Sequence, residues 1–254
     1  AFKLTIEEVV TCHNLHRLTH RVYVGVNHIQ GARSIIQDNQ VRLSLEMMTD
    51  LKRRQIRLQL GWKVERYLQT GDTVLFNRQP TLHKKSILAH RVQLMPGKTF
   101  RLNLCCTGPY NGDFDGDEMN VHMLQSTQAV AEAQALMSVE QQLLNAQNCK
   151  PCMGIVQDTL VGAMLLTSSD RFFDRQQCMQ ILYQMKYRQR NQALPLPCIY
   201  KPQALWSGRQ IFSMLLPAGI YLRTKDVVIQ DGELLQGVLT KRYLGPSSGG
   251  IIHI

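Results

Sequence analysis

Four of the 19 acidic residues in this 254-residue chain fall within six positions, Asp113, Asp115, Asp117 and Glu118, in the segment Asn111-Gly112-Asp113-Phe114-Asp115-Gly116-Asp117-Glu118-Met119-Asn120. The preceding stretch, 73–112, has no acid and six Lys or Arg residues. Carboxylates at i, i+2 and i+4 share one side of an extended chain, because side chains alternate with period two. A flat strand would spread them over roughly 13 Å at ~3.3 Å per residue. Glycines at 112 and 116 are expected to let the backbone curl through unusual dihedrals and bring the three carboxylates together. Convergent carboxylates repel one another and partly protonate unless a cation lies between them. Hard oxygen ligands select Mg²⁺, Mn²⁺ or Ca²⁺. A merely solvated acidic turn is disfavoured because Phe114 and Met119 interleave apolar positions with the acids. An EF-hand calcium loop requires Gly at its sixth position and Glu at its twelfth. Counted from Asp113, these positions hold Glu118 and Leu124, so that reading fails.

The elements that must position this turn read as follows. Strand patterns occur at Val74-Leu75-Phe76, after the turn at Gly71-Asp72, and at Thr99–Leu104, after Pro96-Gly97. Ser126 or Thr127 caps an Ala-rich helix over 128–138. Met153, Val156, Leu160 and Met164 recur at helical spacing, as do Cys178, Ile181, Leu182 and Met185 behind a cap at Asp174. Ser207-Gly208 opens a helix to Leu215 that Pro217 stops. The chain then forms a hairpin, Val227–Ile229 and Leu234–Leu239, about an Asp231-Gly232 turn. The polar stretch Asn145–Lys150 before Pro151 is the candidate domain boundary.

Composition narrows the class. At 29.0 kDa the chain fits one large domain or two modest ones, and 44% hydrophobic residues supply a core. A formal charge of +10 and a pI near 9.4 point to a polyanionic partner, nucleic acid first. No apolar run approaches a membrane span, and no membrane partner is expected. Seven irregularly spaced cysteines suit a reducing compartment better than a disulfide scaffold. The start lacks a secretory core and an initiator Met, as expected of an excised or processed piece. Cys149-Lys150-Pro151-Cys152 has no second pair at zinc spacing, so no zinc is expected in this segment. His13, His16 and His20 share a helical face and read as an ordinary surface or packed helix.

The acidic segment resembles the catalytic aspartate motif of the largest subunit of multisubunit DNA-directed RNA polymerases, whose pattern has Ala where this chain has Gly112. Other segments agree, in the family order: Gly61-Trp62-Lys63-Val64-Glu65-Arg66, Leu75-Phe76-Asn77-Arg78-Gln79-Pro80, Leu82-His83-Lys84, Ala89-His90-Arg91-Val92, Thr99–Leu104, Met153-Gly154-Ile155-Val156-Gln157-Asp158 and Leu205-Trp206-Ser207-Gly208. The resemblance covers nearly the whole chain, is weakest at 10–55 and 165–200, and leans towards the eukaryotic polymerase II subunit or its homologues in large DNA viruses.

That resemblance implies a mixed α+β fold, with part of a double-psi β-barrel in an active-site region, 1–147, followed by a mixed helix and strand pore region, 148–254, ending before the bridge helix and trigger loop. It implies that Asp113, Asp115 and Asp117 hold a Mg²⁺ for nucleotidyl transfer, with a second ion entering with the nucleotide, ~3.5–4 Å from the first. It places Arg78, and less strongly Gln79, at the incoming ribose and Asn111 at its 2′-hydroxyl, while Lys84 and Lys85 line an anionic path or simply a solvated face. The implied partners are template DNA, RNA transcript, nucleoside triphosphates, the second-largest subunit and smaller polymerase subunits. The implied location is the nucleus for a cellular enzyme, or a virion or cytoplasmic factory for a viral one. Polymerisation by this chain alone is not expected. Two competing readings are a two-barrel RNA-dependent RNA polymerase, which shares the Asp-x-Asp-Gly-Asp core, and a non-catalytic nucleic-acid-binding or assembly module.

Overall fold

In the computed structural model the structure describes residues 4–185, 193–245 and 251. The chain divides into two compact units, residues 1–102 with 106–143 and residues 103–105 with 144–254. Among the described residues the architecture is mixed helix and strand, built on four small sheets.

The first unit opens with an antiparallel sheet in the order β1-β4-β2-β3, made of β1 (Thr5–Val9), β2 (Ala32–Ile36), β3 (Arg42–Ser44) and β4 (Lys63–Tyr67). Helix α1 (Leu15–Val24) lays Leu18 and Val22 on this sheet against Ala32, Ile35 and Val64, all fully buried. The short helix α2 (Asp50–Gln55) follows β3. A second antiparallel sheet has β5 (Thr73–Asn77) in the middle, flanked by β6 (Ile87–Arg91) and β7 (Asn120–Met123). Its central strand reads Thr-Val-Leu-Phe-Asn without polar alternation and is buried on both faces, as a central strand requires. Ile6, Leu68 and Val74 close a small core between these layers.

The sheets do not close into a barrel among the described residues. Closure needs the outermost strands to pair. Here β6 and β7 are the outer strands, and β6 gains only an isolated parallel bridge, Ala89 with Ser138. The strand expected over Thr99–Leu104 does not form either. This segment is irregular and ends in a single 3₁₀ turn at Leu104–Cys106. Phe100 explains the difference, since its ring turns edge-on to Phe76 at 5.1 Å and ties the segment down without pairing.

The expected Ala-rich helix, α4 (Thr127–Leu136), follows α3 (Thr107–Tyr110) and β7. The Ser126 hydroxyl caps it by accepting from the Ala129 N–H at 3.1 Å.

In the second unit, α5 (Gln157–Thr167) begins after Met153 and Val156, so only Leu160 and Met164 of the expected series lie in it. Strand β8 (Phe172–Phe173) precedes α6 (Arg175–Gln184), and β9 (Trp206–Ser207) precedes α7 (Gly208–Ser213). Both helices start with reciprocal capping boxes, Asp174 with Gln177 and Ser207 with Gln210. The expected hairpin is β11 (Val228–Gln230) with β12 (Glu233–Gln236), joined through Asp231 (φ 51°) and Gly232 (φ 78°). These are the two positive φ values of a primed turn. Strand β10 (Leu222–Arg223) adds to its edge, and α8 (Lys241–Leu244) follows. Thr167, fully buried, secures the hairpin's tail by accepting from the Leu239 N–H at 3.0 Å.

Two carboxylates, Glu65 buried and Asp72 half-buried, make the first unit sensitive to acid. Arg66 forks onto both oxygens of Asp72 at 2.8 Å and also donates to Glu8 at 2.6 Å. Glu65 accepts from the Ser34 hydroxyl at 2.5 Å and from Arg42. Burial alone would raise both carboxyls. The hydrogen bonds from Arg66 and the Gln69 N–H to Asp72, and from Arg42 and Ser34 to Glu65, outweigh it and hold both below their ordinary values of 3.8 and 4.5. A depressed folded-state value stabilises the fold fully above the unfolded value and loses that contribution as pH falls through the folded one. Thermal melts at fixed ionic strength are therefore expected to be level from neutrality to about pH 5 and to decline below about pH 4. Asp72→Asn is expected to cost about 1–3 kcal/mol at neutrality and to flatten that decline.

Candidate metal centre

The acidic segment hangs between α3 and β7. Helix α3 ends in a Schellman motif: the Asn111 N–H donates to the Gly108 carbonyl at 3.0 Å and the Gly112 N–H to the Thr107 carbonyl at 3.1 Å. This motif needs a left-handed residue, and Asn111 takes φ 47°, ψ 41°. The unusual dihedrals thus fall on Asn111 and on Gly116 (φ 118°), not on Gly112 as expected from the sequence. Asn111 therefore has a conformational role of its own, stopping α3 and aiming the chain into the acidic turn. At the far end, the pairing of Asn120 with Asn77 anchors the start of β7 beside the end of β5. That register sets Arg78, the first residue beyond β5, next to the turn.

The three aspartates converge, with one carboxylate oxygen from each lying within 4.8 Å of the others. Among the described residues this is the group of three or more His, Cys, Asp or Glu side chains gathered closely enough to hold a metal ion. Asp117 is the most constrained of the three. Arg78 grips it through Nε to Oδ2 at 2.7 Å and Nη2 to Oδ1 at 3.2 Å, and the Asp113 N–H donates to Oδ2 at 3.2 Å. Arg78 Nη1 reaches back to the Tyr110 carbonyl at 3.4 Å, linking the end of α3 to the end of the turn. Both side chains of the Arg78–Asp117 pair are only 19% exposed, although Asp117 as a residue is open to solvent.

The charges separate the acids. The Arg78 hydrogen bonds hold the Asp117 carboxyl below its ordinary value. Asp113 is pushed up, first by its hydrogen bond with Asp115, then by partial desolvation and the neighbouring negative charges. An upward shift caused by two neighbouring carboxylates is what a cation would relieve. The donor set, three convergent carboxylates, fits a hard divalent ion such as Mg²⁺.

An aromatic platform supports the turn from below. Phe76 meets His90, Phe100 and Tyr110 edge-on, at centroid distances of 5.8, 5.1 and 5.7 Å. The Tyr110 hydroxyl donates to the Phe76 carbonyl at 3.2 Å. Its one proton being committed there, its 2.8 Å contact with His90 Nε2 requires that nitrogen to donate. Burial pushes the Tyr110 phenol up and the His90 imidazole down, so both stay neutral. Nothing in local spacing announced this platform, because it joins residues from two strands, a loop and a helix.

The other sequence candidates are placed as follows. Gln79 is exposed, at a cis peptide with Pro80. Phe114 is 69% exposed, so its apolar side chain does not anchor the turn. Lys84 is exposed and Lys85 buried, so the two do not share one solvated face. Cys149 is exposed and Cys152 half-buried. His13 lies in the turn before α1, leaving His16 and His20 on the helix.

A Cβ at position 112 would lie 3.6 Å from Asp117 Oδ2 and 3.7 Å from Arg78 Cδ, both ordinary contacts, and its φ is not left-handed. Gly112→Ala is thus expected to stabilise by about 0.4–1 kcal/mol, through the unfolded chain's lost freedom, as read by urea denaturation.

The site is thus a sheet-borne acidic turn of three convergent carboxylates, one of them gripped by an arginine. Residues 1–139 match the family model for RNA polymerase Rpb1, domain 2, and residues 142–254 match that for RNA polymerase Rpb1, domain 3. The chain belongs to the RNA polymerase Rpb1 family, the largest subunits of DNA-directed RNA polymerase.

Proposed function

We propose that this chain holds the active-site Mg²⁺ of a DNA-directed RNA polymerase during templated nucleotidyl transfer. The observation that carries the reading is the convergence of Asp113, Asp115 and Asp117 to within 4.8 Å in the part of the chain that matches Rpb1 domain 2. When bound, Mg²⁺ supplies Lewis acidity, lowering the pKa of an attacking 3′-hydroxyl and screening the triphosphate. The protein's own contribution is positional. The left-handed Asn111 and Gly116 bend the turn, the aromatic platform fixes its base, and Arg78 keeps Asp117 ionised and oriented. Arg78, Gln79 and Asn111 border the same turn, which suits them to the ribose of an incoming nucleotide, with Asn111 reading the 2′-hydroxyl. In this reading residues 1–147 form the active-site region, with β5–β7 as elements of a double-psi barrel, and 148–254 belong to the pore region. DNA, transcript, nucleoside triphosphates, the second-largest subunit and the smaller subunits are its partners. Its place is the nucleus in a cell or the virion or cytoplasmic factory of a virus.

The test is a Mn²⁺ titration of the chain followed by electron paramagnetic resonance, with Mg²⁺ as competitor. One competable site, lost in Asp113→Asn, is expected. Mn²⁺ binding that Asp113→Asn leaves unchanged would instead support a non-catalytic assembly module.

A further inference from the structure

Helix α1 carries His16 and His20 one turn apart, with Arg17 and Arg21 one turn apart beside them. With Gln30 these four side chains line a surface cleft of about 220 Å³. At ~30 Å³ per water, that is room for roughly seven waters, or for one tetrahedral oxyanion with part of its hydration shell. The cleft shares no residue with the carboxylate triad.

Arg21 is the anomalous member. It is only 9% exposed; among the described residues its Nε is buried without a hydrogen-bond partner, and its Nη1 finds only the Gln30 carbonyl, at 3.4 Å. Among the described residues it forms no ion pair. The nearby carboxylates are already committed. Glu8 takes Arg17 and Arg66, and Asp72 takes Arg66 with both oxygens. Three guanidinium groups, Arg17, Arg21 and Arg66, thus share two carboxylates, leaving one positive charge over before either histidine is protonated. Burial, then the charges of Arg66 and Arg17, loosen the Arg21 proton, and Glu8 and Asp72 offset only part of this. Arginine does not escape by deprotonating. A buried and uncompensated charge is among the costlier features a fold can keep.

We propose that this cleft is an oxyanion subsite that takes a phosphate group between the Arg21 guanidinium and the His16 and His20 imidazoles. A guanidinium fork matches phosphate oxygens two at a time, and imidazole N–H groups add donors from the exposed rim. The group comes either from a polynucleotide backbone or from a free phosphate or nucleotide; both present the same tetrahedral oxyanion.

The test uses the full 254-residue chain, labelled on histidine, titrated with inorganic phosphate against chloride at constant ionic strength. Saturable shifts of the His16 and His20 ring resonances and a saturable rise in melting temperature are expected. Arg21→Met should weaken phosphate binding by about tenfold or more, as loss of a charged hydrogen bond does. A response no different from that to chloride, or one that Arg21→Met leaves intact, overturns the proposal. Should Arg21→Met fail to fold by circular dichroism, the double variant His16→Gln with His20→Gln alters only exposed positions. It should then reduce the phosphate-induced rise in melting temperature several-fold, and an unchanged rise overturns the proposal. A labelled RNA oligonucleotide that displaces phosphate identifies the backbone as the source, with Arg21→Met lowering the salt slope by about 0.7. Phosphate binding without such displacement supports a free phosphate or nucleotide. Binding of an acidic peptide in place of phosphate overturns the assignment.

Discussion

Asp115→Asn, placed in the assembled polymerase, is expected to slow nucleotide addition by about 10²–10³-fold or more, the loss typical when a preorganised electrostatic group is removed from a reacting centre. Among the three aspartates it is the cleanest probe. Asp117 is tied to Arg78 and to the Asp113 N–H, so removing its charge would also loosen the turn. Asp115 is exposed, and its hydrogen bond runs to Asp113 within the same turn. Its replacement should therefore leave the unfolding free energy of the chain within about 0.5 kcal/mol of the parent. A single-nucleotide extension assay checks the first expectation and urea denaturation the second. Lost activity with unchanged stability is the signature of a ligand. Lost stability with retained extension would remove Asp115 from the metal centre.

Phe76→Ala is expected to have the largest effect on stability, about 3–5 kcal/mol. Phe76 is 6% exposed, sits mid-strand in β5 and meets three aromatic rings. Its carbonyl also receives the Tyr110 hydroxyl, which closes the link between β5 and α3. Truncation leaves a cavity beneath the acidic turn and removes the ring on which Phe100 rests. Urea denaturation followed by far-ultraviolet circular dichroism measures the loss. Divalent-ion affinity should fall with it, because Arg78 leaves the sheet two residues later. Phe76→Leu, which retains much of the volume, should cost less and restore most of the affinity. A Phe76→Ala chain as stable as the parent would show that the platform does not support the turn.

Much of the local structure was legible because its causes are local. The capping boxes at Asp174 and Ser207 each need only a residue and its partner three positions on, and the Asp231-Gly232 turn needs only two residues that tolerate positive φ. The β5 strand announced itself as an apolar run after a turn. Local pattern misleads where distant groups decide. Thr99–Leu104 has strand composition but pairs with no described strand, and Phe100 instead packs edge-on against Phe76. Gly112 invited an unusual dihedral, yet the end of α3 required it one residue earlier, at Asn111. Lys85 reads as a surface charge and is buried.

By itself the sequence determined the chemistry on offer: three aspartates at alternate positions, an acid-free basic stretch before them and a motif order that belongs to the Rpb1 family. These are properties of residue type and spacing. Only the tertiary structure decided which basic residue meets which acid. Arg78 and Asp117 are 39 positions apart and meet because β5 and β7 pair with Asn77 opposite Asn120. Only the tertiary structure, too, showed that Arg21 is buried with two carboxylates already taken. Strand register and burial depend on pairings across long stretches of chain, and no pattern within a short segment records them.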